Sequence, residues 1–268
     1  MATTVVFSGG PSPGEEVAAV LAVALGPGSR TPDRVIAADG GLEACLAAGL
    51  EPDVVVGDMD SVASADLSRA EVAGVRIERH PRDKDAVDLE LALDAALRAA
   101  GSGTPIPPTS PGGRKGPTPA RARLVVIGSA GGRLDHLVAS MLLLGSPRYR
   151  GFEVEGYLGS QRIVPVHDTR ALEEPVGTPV SLLALHGAGS RVTTTGLRWP
   201  LARHELVPSS SLGVSNEFAE QQAHIEVSGP PVTVILPGRT EDLSTDTIRH
   251  GHGHGAGDGE RPEVAPHD

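Results

Sequence analysis

Residues 54–61 read Val54-Val55-Val56-Gly57-Asp58-Met59-Asp60-Ser61. Three β-branched residues in a row, with no polar residue alternating among them, describe a short strand buried on both faces. The strand ends abruptly in a glycine and a pair of carboxylates. A short strand running into a Gly- or Asp-rich loop occurs three more times. Residues 4–7 lead into Ser8-Gly9-Gly10, and residues 35–38 into Asp39-Gly40-Gly41. Residues 124–127 lead into Gly128-Ser129-Ala130-Gly131-Gly132-Arg133-Leu134-Asp135-His136. Residues 75–78 form a fifth short β-rich run.

Helical patterns fill the gaps, at residues 15–25, 42–48, 88–100 and 135–144. In the third, Leu89, Leu93, Ala96 and Leu97 share one face, Asp88 stands at the start and Gly101 follows the end. Strand–helix alternation of this kind predicts an α/β domain with a mainly parallel sheet, placed here at residues 1–157. Residues 102–121 are rich in Pro, Gly, Ser and Thr without periodicity, and are expected to be a flexible surface insertion. Beyond about Tyr157 the helical patterns stop, and short β-rich runs separated by turns take over. They predict an antiparallel β-sandwich over residues 158–238. Residues 239–268 form a polar tail with the run His250-Gly251-His252-Gly253-His254, and are expected to be disordered.

Bulk properties narrow the function classes. The formal charge of the 268-residue chain is -11 and only 2% of residues are aromatic. A chain this acidic, with no basic patch and few stacking rings, is a poor partner for nucleic acid. No run approaches the roughly 18 apolar residues that a membrane span needs, and the N-terminus does not read as a signal peptide. Cys45 is the single cysteine, so no intrachain disulfide can form. A cytoplasmic location and a buried structural role for that thiol are expected.

In a parallel sheet the four Gly- and Asp-rich loops emerge at one edge, where open α/β folds bind ligands. Asp58 and Asp60 at i, i+2 place two carboxylates on one side of an extended segment. They repel unless a cation intervenes, and Mg²⁺ carrying ATP phosphates fits, because it takes one or two carboxylates plus phosphate oxygens. A solvated acidic turn is the plain alternative. Lys84-Asp85-Ala86-Val87-Asp88 adds two carboxylates at a helix start. There Asp88 can cap the helix, act catalytically, or both, and Lys84 can reach a phosphate as a mobile point charge. Residues 128–135 have the composition of a phosphate loop but lack the Gly-Lys-Ser/Thr of a Walker sequence. Arg133 can clamp phosphate, and Asp135 can hold Arg133 or a metal. Trp199, the sole tryptophan, reads by default as a core anchor of the β domain.

Taken in order, these motifs resemble thiamine pyrophosphokinase over residues 4–236. The resemblance rests on Ala38-Asp39-Gly40-Gly41, Pro52-Asp53 with Gly57-Asp58-Met59-Asp60-Ser61, Lys84-Asp85-Ala86-Val87-Asp88, and Gly131-Gly132-Arg133-Leu134-Asp135-His136. It extends to Thr194-Thr195-Gly196-Leu197-Arg198-Trp199-Pro200-Leu201 and Ser211-Leu212-Gly213-Val214-Ser215-Asn216. It implies an α/β domain followed by a β-sandwich, and transfer of a diphosphoryl group from ATP to thiamine. It implies Mg²⁺ on Asp58, Asp60 and Asp88, with Asp85 completing the catalytic carboxylates. ATP is expected on Asp39, Gly40, Gly41, Lys84, Gly131, Gly132, Arg133 and Asp135. Thiamine is expected on Trp199, Ser215 and Asn216, in a homodimer whose sites lie between subunits. The family often carries Thr where this chain has Val87, and Phe or Leu where it has Met59. Other readings of the same residues are a pyrophosphokinase for another small alcohol such as a pterin, a non-catalytic thiamine- or nucleotide-binding module, and a metal-dependent sugar-nucleotide transferase.

Overall fold

A computed structural model of the protein describes residues 2–9, 14–26, 31–101, 122–129 and 133–238. Gly10, Gly131, Gly132, the insertion at 102–121 and the tail from 239 lie outside the described residues.

Strands β1 (Thr3–Ser8), β2 (Arg34–Ala38), β3 (Val54–Gly57), β4 (Arg76–Arg79), β5 (Ala122–Gly128) and β6 (Phe152–Leu158) are all parallel and stand in the order β6-β5-β1-β2-β3-β4. The central strands β1, β2, β3 and β5 are apolar on both faces because helices cover both. Val5, Phe7, Val35, Val125 and Ile127 pack against α1 (Gly14–Leu25) and α2 (Gly41–Ala47). Val6, Ile36, Val54, Val56, Leu124 and Val126 pack against α4 (Asp88–Ala99) and the end of α5 (Leu134–Leu144). Cys45 is fully buried on α2. Burial, and then the Asp53 and Glu51 carboxylates, push its thiol up to about 12, so it is an inert structural thiol.

In the α/β part, one α-helix and one strand depart from the sequence reading. Helix α3 (Ser64–Val72) was not expected, because Ala70 is its only buried residue and it has no apolar stripe. Strand β6 was missed because Glu153 and Glu155 interrupt its apolar run. Glu155 is nevertheless 2% exposed, held by the guanidinium groups of Arg123, Arg162 and Arg170.

The sheet does not stop at β6. It continues antiparallel through β7 (Gln161–Val166), β14 (Val232–Pro237), β9 (Pro179–Leu183) and β12 (Asn216–Glu217) to make ten strands. A second antiparallel sheet, in the order β11-β10-β13-β8, comprises β8 (Thr169–Glu173), β10 (Ser190–Thr195), β11 (His204–Leu206) and β13 (Gln222–Ser228). Val164, Val180, Leu182 and Val234 from one sheet meet Leu172, Val192, Ile225 and Val227 from the other in one apolar layer, which makes the C-terminal part a sandwich. No helix among the described residues is long and apolar enough to cross a membrane.

Candidate active site

The order β6-β5-β1-β2-β3-β4 reverses direction between β1 and β5. The loops after β1, β2, β3 and β5 therefore gather at the carboxyl edge beside this switch point. Asp39 follows β2 directly, and its N–H donates to Val56 O at 2.8 Å, tying the β2 loop to β3. Its φ is +47°, and that of Met59 is +65°. Both are left-handed values for residues with side chains, conformations that cluster where a loop is held to a task. Gly57 lets the strands close at this point. A Cβ there would stand 2.9 Å from Asp39 Cβ and 3.0 Å from Asp88 Oδ1.

Asp39, Asp58 and Asp60 each bring a carboxylate oxygen within 4.8 Å of the others. Asp88 stands beside them rather than among the three, with its Oδ1 2.8 Å from Lys84 Nζ. Lys84 also reaches Asp58 Oδ2 at 3.2 Å. Burial works against the Lys84 ammonium, but the Asp88 and Asp58 carboxylates outweigh it and raise its pKa. The Asp58 carboxyl is lowered by the backbone N–H of Asp60, and then by Lys84. Asp39 goes the other way. It is 7% exposed, and burial raises its carboxyl above the usual value, with the Asp88 and Asp58 charges adding to the shift. The Ser61 side chain and the Gly40 N–H pull against it. Asp39 Oδ1 is buried and takes no hydrogen bond.

A buried, unpartnered carboxylate oxygen beside two further carboxylates suits a hard divalent cation with oxygen ligands. Among the described residues, protein cations answer part of that charge. Lys84 sits between Asp58 and Asp88, and Arg82 caps Asp60, which also accepts from Ser61 Oγ at 2.9 Å. The sequence reading did not single out Arg82; its signal is a basic residue in the same acid-rich loop. Asp85 is exposed and lies outside the three-carboxylate group. Gly40 approaches Ser61, and Gly41 packs so closely on Phe7 O that a Cβ would lie 2.2 Å from it. Arg133 and Asp135 form an exposed ion pair, Nε to Oδ1 3.2 Å, which raises the Arg133 pKa and lowers that of Asp135. Asp135 thus holds Arg133.

A second group forms in the sandwich. Trp199 N–H donates to Asn216 Oδ1 at 3.1 Å, and Asn216 Nδ2 donates back to Trp199 O at 2.7 Å. Ser215, at φ +59°, donates its N–H to Ser181 Oγ at 3.1 Å. The indole is 53% exposed, so it is not the core anchor that a lone tryptophan suggests by default. Arg198 lies over the ring, 4.9 Å from its centroid, and pairs with Glu217. No hydrogen bond or ion pair between described residues joins this group to the carboxylates. A cavity of about 300 Å³ lies elsewhere, between the end of α1 and β8, over Arg123, Glu155 and Arg162. Arg123 and Arg162 both pair with Glu155 in its wall, and none of the carboxylates of the first group lines it.

Residues 30–155 match the model of the thiamin pyrophosphokinase catalytic domain, and residues 167–231 match that of the thiamin pyrophosphokinase vitamin B1 binding domain. The chain belongs to the thiamin pyrophosphokinase family. The catalytic-domain match takes in every carboxylate of the first group, and the vitamin B1 domain match takes in Trp199, Ser215 and Asn216. The chain is 26% identical over 189 residues to thiamine pyrophosphokinase of Bacillus subtilis, covering 68% of this chain and 77% of that one. It is 26% identical over 185 residues to thiamine pyrophosphokinase 1 of Oryza sativa, covering 65% and 62%. The crystal structure of the Bacillus subtilis enzyme superposes with a TM-score of 0.67 at 21% identity, covering 88% of this chain and 99% of that one. The yeast thiamin pyrophosphokinase gives 0.62 at 16% identity, covering 92% and 89%. Over these distances the fold of the family is retained.

Proposed function

We propose that the chain transfers the diphosphoryl group of ATP to the hydroxyl of thiamine, giving thiamine diphosphate and AMP. The observation that carries the reading is the joint presence of two groups of residues on one chain. One is a carboxylate cluster at the sheet edge that calls for a divalent cation, and the other is an exposed, hydrogen-bonded indole in the vitamin B1 domain. The thiamine hydroxyl oxygen attacks the β-phosphorus of ATP in line, the bond to the α-phosphate oxygen breaks, and AMP leaves. The hydroxyl proton passes to a carboxylate, and Asp88 is the candidate, since its partner Lys84 is free to turn to a phosphate oxygen once ATP arrives.

Asp39, Asp58 and Asp60, with Asp88 beside them, are the residues that would hold Mg²⁺. When bound, it supplies charge neutralisation to the phosphates. Gly40 and Gly41 let the loop after β2 pack against Ser61 and Phe7 O beside the nucleotide, Lys84 and Arg133 hold phosphate oxygens, and Asp135 orients Arg133. Asp85 supports the loop. Trp199 stacks on the thiamine ring, with Ser215 and Asn216 fixing the loop beneath it. The separation of the two groups within one chain supports a homodimer in which each site draws on both subunits. The solvent-facing Leu134, Val138 and Leu142 on α5, and Leu212 and Val214 beside Ser215, supply apolar surface for it. The free, buried Cys45 fits a cytoplasmic location.

Asp58→Asn and Asp60→Asn test the assignment. Each is expected to lose about 10²–10³ in turnover, the scale of a lost electrostatic stabiliser, with an unchanged circular-dichroism spectrum. Near-normal turnover of both variants would remove the cation site from the account.

A further inference from the structure

Helix α5 is lightly embedded. Leu144 is its one fully buried residue, while Leu134, Val138 and Leu142 face solvent. Its first turn carries Asp135, and Arg133 stands at the residue before it. Leu137, Met141 and Leu143 are only partly buried against the core, so the hold on the far end of α5 helps decide where that first turn stands.

Two close approaches fix it. Leu144 Cδ1 fills the space over Gly156 of β6, where a Cβ would lie 2.5 Å away. The ring of His186, from the loop after β9, fills the space over Gly145, where a Cβ would lie 2.2 Å from Cε1. His186 Nε2 also lies 2.9 Å from Leu142 O, in the last turn of the helix. The carbonyls of that turn have no partner within the helix, and a carbonyl only accepts, so Nε2 carries the proton. The other ring nitrogen, Nδ1, is buried with no hydrogen-bond partner. The ring is thus seated by shape and by one bond, in a notch that only glycine leaves open.

We propose that His186 is a positioning residue for the nucleotide end of the reaction. It pins the C-terminal end of α5 to the β9–β10 loop, so that Arg133, at the opposite end, meets the ATP phosphates in a fixed place. The inference rests on the reading of the 128–135 loop as an ATP-binding element. Eleven residues at about 1.5 Å each make a lever of about 16 Å, so a tilt of about 10° at the pin moves the first turn by about 3 Å. Misplacement by about 1 Å is already enough to impair a reaction that depends on positioning. The loop that carries His186 follows β9, whose Ser181 holds Ser215, so the pin also ties the nucleotide helix to the strand that supports the acceptor loop.

The test compares His186→Ala, Gly145→Ala, the double variant, His186→Gln and Arg133→Gln in steady-state assays with ATP and thiamine, alongside thermal unfolding of each. His186→Ala and Gly145→Ala are each expected to raise the KM for ATP about tenfold, leaving the KM for thiamine within about twofold. The double variant is expected to be no worse than the worse single one, because both lesions strike one contact. His186→Gln, whose Nε2 can donate to the same carbonyl, is expected to recover most of the loss. An unchanged KM for ATP in His186→Ala, with a raised one in Arg133→Gln, would overturn the positioning role and leave the loop reading standing. Additive single effects, or equal rises in both KM values, would overturn it as well. An unchanged KM for ATP in Arg133→Gln would remove the loop reading itself, and the inference with it. Should His186→Ala not fold, Gly145→Ala and His186→Gln carry the same comparison.

Discussion

The ammonium of Lys84 lies 2.8 Å from Asp88 Oδ1, and that single contact shows how the chain tolerates its own active site. The cluster of four carboxylates would repel itself at neutral pH without a cation. Lys84, 13% exposed, reaches both Asp58 and Asp88. Replacing it with Met is expected to cost about 1–2 kcal/mol, between the values for exposed and fully buried pairs. The pKa of Lys84 is raised above 10.5, so its contribution is complete below that value and is lost as pH rises through the folded-state value. The pKa of Asp58 is lowered below 3.8, so its contribution is complete above that value and is lost as pH falls through its folded-state value. The stability difference between wild type and variant should therefore be flat across neutral pH and shrink at both extremes. Urea unfolding at several pH values checks this, and a difference that peaks at an extreme would contradict it.

Asp39 makes the opposite prediction. Its carboxyl is pushed above 3.8 by burial and by Asp88 and Asp58, so its ionisation opposes folding at neutral pH. Asparagine keeps the shape and tolerates the positive φ of this position. Asp39→Asn is expected to unfold at a higher temperature than wild type in the absence of metal, by about 2–4 °C per kcal/mol of strain relieved. The advantage should fade as pH falls toward 3.8, where the wild-type carboxyl takes up its proton. Mg²⁺ should stabilise wild type more than the variant, and turnover should fall sharply. Differential scanning calorimetry with and without Mg²⁺ reads both signs, and a destabilised, still Mg²⁺-responsive variant would refute the argument.

The first five strands and four of the helices were legible in the sequence because each keeps a recognisable apolar pattern, continuous in Val54-Val55-Val56 and helically spaced in Leu89–Leu93–Ala96. Helix α3 was not, since one buried alanine leaves no period to detect. Strand β6 was hidden by Glu155, a residue whose burial depends on three arginines far apart in the chain. The continuation of one sheet into the sandwich is a matter of pairing between β6 and β7, which local pattern does not encode. At the site, the Asp-x-Asp step and the Trp199 motif stood out as strings. That Asp39 closes the carboxylate group, that Lys84 bridges it from 26 residues beyond Asp58, and that Arg82 caps Asp60 are facts of folding.

Trp199 provides its own probe, since the chain contains one tryptophan. Its backbone is fixed from both sides by Asn216, and its indole is open to solvent. Titration with thiamine is expected to quench its fluorescence. Trp199→Ala is expected to raise the KM for thiamine about tenfold or more, the scale of a lost aromatic stacking contact of about 1–3 kcal/mol, with the KM for ATP within about twofold. Quenching by ATP alone, with none by thiamine, would place the indole at the wrong substrate.

The most direct test of the central claim is the product set formed from ATP, Mg²⁺ and thiamine, resolved by mass spectrometry beside a control without thiamine and a control with a pterin alcohol. The account predicts AMP and thiamine diphosphate in equal amounts, dependent on thiamine and abolished by chelation of the metal. ADP with thiamine monophosphate, product from the pterin alone, or no AMP from folded protein would contradict it.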